Sequence, residues 1–223
     1  MTRARWFQAA THYSPRALTA RMKALAFTEA STHGFLIERT REDYIEGRYI
    51  EKLTYQERTP DPFGREISYE RTTYCQVPFT YHATFPQLEI RDAPRNTHGF
   101  LSTLLELTDF TIATNVLSVD ILQWVKNIQK HTTRPITVDY LQVLDVLIAT
   151  GVLGTISLKG DLDVRGHLAD ITAGRSFRVG RARLQWNLPA GRVVVHLLSS
   201  GTAKLEHFTP DTLALLRNTI PPT

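Results

Sequence analysis

The stretch 45-IEGRYIEKLTY-55 decides the fold class, because apolar and polar residues alternate along it. Ile45, Tyr49 and Leu53 occupy odd positions, whereas charged or polar residues occupy most of the even positions. Successive side chains of a strand point to opposite faces, so this period of two predicts a strand with one face in solvent. Strands that are apolar on one face only are typical of antiparallel sheets.

The β-type composition extends on both sides of this stretch, from Gly34 to Arg91, where Tyr, Phe, Thr, Val and Ile are common. Within it, 60-PDPFG-64 concentrates Pro, Asp and Gly and predicts a turn between two antiparallel strands. A further strand over Tyr81–Arg91 would complete a meander.

A second group of strands is predicted after about residue 153. The expected ranges are Leu153–Ile171, Ser176–Asn187, Arg192–Ser199 and Thr202–His207.

Helical spacing of apolar residues separates and flanks the two strand groups. Ser14 and Pro15 predict the start of a helix that runs to about Ala30. Further helices are predicted around Phe100–Leu105, over Ser118–His131, over Val138–Thr150 and after Thr209. The expected fold is therefore α+β, with two antiparallel β-meanders separated by an apolar helical segment and flanked by N- and C-terminal helices.

The connector Thr132–Pro135 is the candidate domain boundary. It would separate residues 1–131, with a helix, an antiparallel meander and further helices, from residues 132–223, with a helix, an Arg-rich antiparallel meander and a closing helix. Because 223 residues suffice for one large core, both parts can also belong to a single domain.

Composition limits the expected environment of the chain. Apolar residues make up 42% and charged residues 22%, which is typical of a folded soluble protein. Cys75 is the only cysteine, so no internal disulfide can form and a reducing compartment is expected. No apolar run approaches the roughly 18 residues of a membrane-spanning helix. We therefore expect a cytoplasmic protein without membrane contact and, since no Walker or G-x-G-x-x-G motif is present, without a cofactor.

Basic residues carry the leading functional hypothesis. The net charge of +4 is compatible with binding to a polyanion. The cationic candidates lie on the first helix and in a stretch without acids from 175 to 192: Arg16, Arg21, Lys23, Arg175, Arg178, Arg181, Arg183 and Arg192. Strict alternation would put Arg178 on the face opposite Arg181 and Arg183. Since Lys and Arg neutralise phosphates, we expect a non-catalytic nucleic-acid-binding protein that is a subunit of a microbial multiprotein complex.

A first alternative is a protein-interaction or scaffold subunit, with a protein partner or a homo-oligomer. Tyrosine is enriched at interface hot spots, and tyrosines are concentrated in the first meander. They are Tyr44, Tyr49, Tyr55, Tyr69, Tyr74 and Tyr81.

A second alternative is a metal-dependent hydrolase or nuclease. As a strand, residues 161–167 would place Asp161, Asp163 and His167 on one face, where they could bind a divalent metal and act in catalysis. The same alternation is typical of the solvent face of any amphipathic strand, so we expect no metal site.

The helix predicted over Asp120–Lys130, the helix predicted over Val138–Thr150 and the strand pair predicted after them have the order of a winged helix. Its second helix, Val138–Thr150, carries Asp139 and Asp145 but neither Lys nor Arg. A helix that reads DNA presents basic or amide side chains to the groove, so this composition argues against DNA reading.

Overall fold

The computed structural model describes residues 1–60, 62–189 and 191–222, and it shows a mixed α+β chain with a large antiparallel sheet. The elements in chain order are β1 (Thr2–Ala10), α1 (Pro15–Ala24), β2 (His33–Thr40), β3 (Tyr44–Pro60), β4 (Glu66–His82), β5 (Leu88–Arg91), α2 (His98–Leu107), β6 (Ala113–Val116), α3 (Ile121–His131), β7 (Thr137–Ala149), β8 (Val152–Lys159), α4 (Leu168–Thr172), β9 (Arg178–Leu188), β10 (Gly191–Leu198), β11 (Thr202–Leu205) and α5 (Pro210–Asn218). A short 3-10 turn, Val164–His167, directly precedes α4.

The chain forms two compact units. The first unit is Ala9–Thr114, and the second unit combines Met1–Gln8 with Asn115–Thr223. The chain thus passes between the units twice, between Gln8 and Ala9 and between Thr114 and Asn115. The domain boundary between residues 131 and 132 stays a prediction.

Strands β2, β3, β4 and β5 of the first unit are neighbours in that order, so the predicted first meander is present. β3 and β4 pair along their whole length, from Tyr44 opposite His82 to Pro60 opposite Glu66. Asp61, in the predicted turn, lies outside the described residues. The base of the hairpin packs on an aromatic cluster in which Phe79 and Phe100 have ring centroids 5.2 Å apart.

Helix α1 begins as predicted, because Ser14 Oγ accepts a hydrogen bond from the backbone N–H of Ala17 at 3.2 Å. It ends at Ala24 rather than near Ala30, since the following residues pair with β2 instead. The N–H of Phe35 donates to the carbonyl of Leu25 at 2.8 Å. This approach requires glycine at position 34, where a Cβ would lie 2.7 Å from the Leu25 oxygen.

The sheet of the second unit has the order β1, β11, β10, β9, β7, β8. The predicted helix Val138–Thr150 is wrong, because these residues form strand β7 between β8 and β9. A short apolar run cannot be told from a buried helix segment by its period alone. The apolar segment that separates the two strand groups is thus shorter than expected, and the winged-helix arrangement does not occur.

Helix α3 covers one face of the second unit's sheet by packing against β9. Ala182, Leu184 and Trp186 of β9 are buried and alternate with partly exposed polar residues. Asp120 rather than Ser118 caps α3, because its Oδ1 accepts hydrogen bonds from the N–H groups of Leu122 and Gln123 at 2.9 and 3.1 Å.

Helix α5 is held by Trp124 of α3, whose indole N–H donates to the carbonyl of Leu216 at 3.1 Å. Thr209 caps α5 as predicted. Within the described residues, no helix has the length and apolar character needed to cross a membrane.

Candidate anion-binding surface

A row of mostly basic side chains crosses all six strands of the second unit's sheet. Directly opposite residues of antiparallel strands point to the same face, so the register defines the row. We call it the basic row, and its members from β1 to β8 are Arg3, Lys204, His196, Arg183, Tyr140 and Lys159. With neighbouring strands about 4.8 Å apart, five spacings give a row of about 24 Å.

A parallel row lies one pair further along the strands. It contains Arg5 on β1 and Arg181 on β9. The guanidinium of Arg5 lies 4.8 Å from the Phe7 ring centroid, and that of Arg181 lies 5.8 Å from the Tyr140 ring centroid. The buried Nε atoms of both arginines have no hydrogen-bond partner among the described residues.

Arg183 is the best-anchored cation of the basic row. Its Nε and Nη2 donate to the two carboxylate oxygens of Asp139 at 2.7 and 2.8 Å. The Asp139 side chain is only 5% exposed, against 33% for Arg183. The Asp139 hydrogen bonds raise the pKa of Arg183 and hold its guanidinium in one orientation.

His196 belongs to the basic row but is uncharged at neutral pH, as Tyr140 is. Burial lowers its pKa, and the nearby positive charges of Arg181 and Arg183 lower it further. Arg181 Nη2 lies 3.1 Å from His196 Nδ1, and since arginine can only donate, this nitrogen accepts the hydrogen bond. Glu206, 3.9 Å from Nε2, raises the pKa of His196, but this effect is smaller than the lowering by burial and by the two arginines.

A cleft of about 680 Å³ opens at the Lys159 end of the basic row. Its charged lining consists of four cations and two carboxylates: Arg134, Lys159, Arg183, Arg192, Asp139 and Asp161. Since Asp139 is occupied by Arg183, the salt bridges among the described residues leave Arg134, Lys159 and Arg192 without an acidic partner.

The cleft also contains amide groups. Gln185 and Asn187 of β9 line it, and the buried Oε1 of Gln185 has no hydrogen-bond partner among the described residues. Buried polar atoms are nearly always hydrogen-bonded, so an acceptor in this state at the wall of a cleft suits a ligand that donates.

The cleft walls are fixed by the backbone around them. Gln129 Nε2 donates to the carbonyl of Arg134 at 3.0 Å, and its Oε1 accepts from the N–H of Ile136 at 2.8 Å. The N–H of Gly160 donates to the carbonyl of Asp139 at 3.0 Å. Arg134 and Lys159 therefore extend from anchored segments.

Three of the predicted cations lie on α1 of the first unit. Arg16 and Lys23 are exposed. Arg21 is used inside that unit, because it donates to the carbonyl of Leu107 at 2.7 Å and pairs with Asp109 at 2.8 Å.

The other five predicted cations lie in the second unit, where only some are brought together. Arg183 and Arg192 both line the cleft, and Arg181 lies beside Arg183 on the same face of β9. Arg175 is exposed in the segment before β9. Arg178 pairs with Asp145 at 3.1 Å.

The expected orientation of Arg178 is wrong. Gln142 and Val143 are adjacent in β7, but they lie opposite Arg181 and Val179, so Gly180 is an extra residue in β9. A bulge of this kind shifts the alternation by one position and places Arg178 on the same face as Arg181.

The predicted strand containing Asp161, Asp163 and His167 is also wrong. Asp161 follows the end of β8, and His167 is the exposed last residue of the 3-10 turn. Asp163 caps that turn and pairs with Arg165 at 2.7 Å. Burial raises the pKa of Asp163, but hydrogen bonds from Arg165 and from the N–H of Val138 outweigh it and lower the pKa. Over residues 1–60, 62–189 and 191–222, no three His, Cys, Asp or Glu side chains are grouped to hold a metal.

Sequence reasoning missed Arg3, Lys204, His196, Lys159, Arg134 and Gln185 as site residues. A usable signal existed only for the first of these, because 2-TRARW-6 alternates basic and apolar residues like a half-exposed strand. The others become neighbours only through strand register, which a single sequence does not specify.

Comparison of the chain with models of protein families and with curated proteins gives no match.

Proposed function

We propose that the chain is a non-catalytic nucleic-acid-binding protein and a subunit of a microbial multiprotein complex. The basic row is the observation that carries this proposal: cations from β1, β11, β9 and β8 share one face of one sheet. Such a row suits a phosphodiester backbone, since each neutralised phosphate releases counterions and strengthens binding.

Single-stranded nucleic acid suits this surface best. Tyr140 lies within the basic row between Arg183 and Lys159, where a base can stack on its ring while phosphates contact the flanking cations. Binding of this kind depends on charge and stacking rather than on the edges of particular bases. We therefore expect weak sequence preference.

The test is the salt dependence of oligonucleotide binding, measured by fluorescence anisotropy. Replacing Lys159→Gln and Lys204→Gln together removes two cations of the basic row and should reduce the slope of log affinity against log salt by about 1.4, at about 0.7 per contact with a single strand. The matched control is Lys126→Gln with Lys130→Gln, which removes the same charge from the exposed side of α3. Equal slopes for the two double variants, or no binding by the wild type at low salt, would contradict the proposal.

A second candidate function is self-association through the distal part of the β3–β4 hairpin. We define this β3–β4 arm as residues 53–60 and 66–73, which among the described residues pair only with each other. Leu53, Tyr55, Ile67 and Tyr69 are exposed and share one face of the arm. Because both edges of the arm are also open, a second copy of the chain is its simplest partner.

Sedimentation velocity over a range of protein concentrations tests this second function. The wild type should form a dimer, and Tyr55→Ser with Ile67→Ser should shift the equilibrium to the monomer. Gln56→Ser with Thr72→Ser, on the other face of the arm, should leave the dimer intact. A wild type that stays monomeric at every concentration would exclude it.

A further inference from the structure

We propose that the cleft beside Lys159 is a subsite for a phosphorylated nucleotide, with the phosphate monoester on Arg134, Lys159 and Arg192. The proposal rests on the nucleic-acid function proposed above. It extends that function from binding along a nucleic-acid chain to binding the nucleotide at the end of that chain. A free nucleotide has the same chemistry, and the experiments below distinguish the two sources.

The charges of the cleft favour a doubly charged group. A terminal phosphate monoester carries nearly twice the charge of an internal phosphodiester at neutral pH and offers three acceptor oxygens. The four cations and two carboxylates of the lining give the cleft a net charge of +2, with Asp139 occupied by Arg183 and with Arg134, Lys159 and Arg192 outside the salt bridges of the described residues. The arginine forks match phosphate geometry, and Lys159 adds a point charge.

The amide groups explain why the ligand is a nucleotide rather than phosphate alone. Gln185 Oε1 is a buried acceptor without a partner among the described residues, and Asn187 adds a second amide on the same strand. A base edge carries the N–H donors that such amides accept. The cleft volume of about 680 Å³ lies within the range of small-molecule sites and leaves space for both base and phosphate.

The position of the cleft links it to the basic row. Lys159 and Arg183 belong to both, so a nucleic-acid chain that follows the row reaches the cleft without leaving the positive surface. The row crosses the sheet and ends at β8, the last strand in the order of this unit. The terminal nucleotide is therefore the part of the nucleic-acid chain that fits the cleft.

The first experiment compares oligonucleotides of one sequence that carry a 5′-phosphate, a 3′-phosphate or no terminal phosphate, by fluorescence anisotropy. One phosphorylated form should bind about tenfold tighter than the unphosphorylated form, because it adds a doubly charged group to three cations. Arg134→Gln with Arg192→Gln should abolish this preference. Lys204→Gln, in the basic row but outside the cleft, should weaken all three oligonucleotides alike and keep their ratio.

The second experiment tests the amide contribution by calorimetry with adenosine monophosphate, cytidine monophosphate and inorganic phosphate. Gln185→Met keeps the size of the side chain but removes the acceptor, so it should weaken the nucleotides several-fold and leave inorganic phosphate unchanged. Equal weakening of all three ligands would overturn the assignment of Gln185 to the base.

The outcomes separate this inference from the proposed function. Salt-sensitive oligonucleotide binding without any preference for a terminal phosphate overturns the subsite and leaves the basic row as the binding surface. Binding of the free nucleotides without oligonucleotide binding supports the subsite and overturns the nucleic-acid function. Failure of every ligand to bind overturns both.

Discussion

At the scale of single residues, Asp139 sets the charge of the cleft. Its carboxylate is buried on β7 and holds Arg183 through two hydrogen bonds. The sequence does not predict this pair, because Asp139 and Arg183 are far apart in the chain and meet only through the register of β7 and β9. Asp139 therefore has two effects of opposite sign, one on stability and one on anion binding.

We expect Asp139→Asn to lower the free energy of unfolding by about 1–2 kcal/mol, because it removes the charged partner of Arg183 from a buried position. The same variant should bind oligonucleotides more tightly, since the cleft becomes more positive by one charge. Urea denaturation and anisotropy measure the two effects. Asp161→Asn is the matched control: it makes the same charge change in the same cleft at an exposed carboxylate, so it should tighten binding and keep stability.

His196 makes stability depend on pH. Because burial and the arginines lower its pKa in the folded protein, the unfolded chain binds a proton more readily than the native state. Below the ordinary histidine pKa of about 6.5, the unfolded state therefore gains protons first, and stability falls as the pH falls. His196→Gln still accepts from Arg181 but does not titrate. Its free energy of unfolding should change less between pH 8 and pH 5.5 than that of the wild type, and identical changes would exclude the role of His196.

At the scale of elements, the sequence predicts the start of helix α1 correctly but not the start of helix α3. Ser14 was correctly identified as a cap, because serine followed by proline is an unambiguous local pattern. At α3 the predicted helix starts at Ser118, which is three residues too early. The structure places the first helical residue at Ile121, so Asp120 is the residue in position to accept the free N–H groups.

We expect Asp120→Ala to destabilise the protein by about 1 kcal/mol, since it removes the side-chain acceptor of two N–H groups. Ser118→Ala should have almost no effect, because Ser118 is exposed outside the helix. Thermal denaturation of the two variants compares them directly. A larger loss for Ser118→Ala would show that α3 starts earlier than described.

The β3–β4 arm is an element that differs in stability along its own length. The base of the hairpin is covered by the aromatic cluster, whereas residues 53–60 and 66–73 are mostly exposed. Two-stranded ribbons without a packed face are marginal in water.

Amides of the arm should therefore exchange with deuterium faster than those of residues 45–51 and 76–82 in the same two strands. Hydrogen exchange followed by mass spectrometry measures this at peptide resolution. Equal protection at both ends would show that the arm is covered in solution, as the self-association function requires. Repeating the measurement at low protein concentration distinguishes an arm covered by self-association, which loses its protection on dilution, from an arm that is protected within one chain.

At the scale of the whole molecule, the sequence was informative where the pattern is local. The α+β class, the first meander and the closing helix followed from alternation, turn residues and caps. Strand β7 was missed because its apolar run suits a strand and a helix equally well. β1 was not predicted as a strand, although it alternates, because its partner β11 lies at the opposite end of the sequence.

The candidate site was predictable only in its chemical type. The Arg-rich stretch lies in the sheet that carries the candidate site: Arg183 belongs to the basic row, Arg181 lies beside it and Arg192 lines the cleft. The row itself joins residues from five further strands, and no periodicity within one strand contains that information. The bulge at Gly180 illustrates the same limit, since one extra residue reverses the face expected for Arg178.

The pairing of β1 with β11 has a consequence for folding during synthesis on the ribosome. Thr2 lies opposite Leu205, so this pairing cannot form until the roughly 200 residues between them have been synthesised. At about 5–20 residues per second, this synthesis takes about 10–40 s. Trp6, wholly buried in the finished protein, cannot donate its backbone N–H to the carbonyl of Gly201 before the end of that interval. The contiguous segment Ala9–Thr114 can meanwhile fold, so the two units mature in sequence, and the unit with the basic row is the later one.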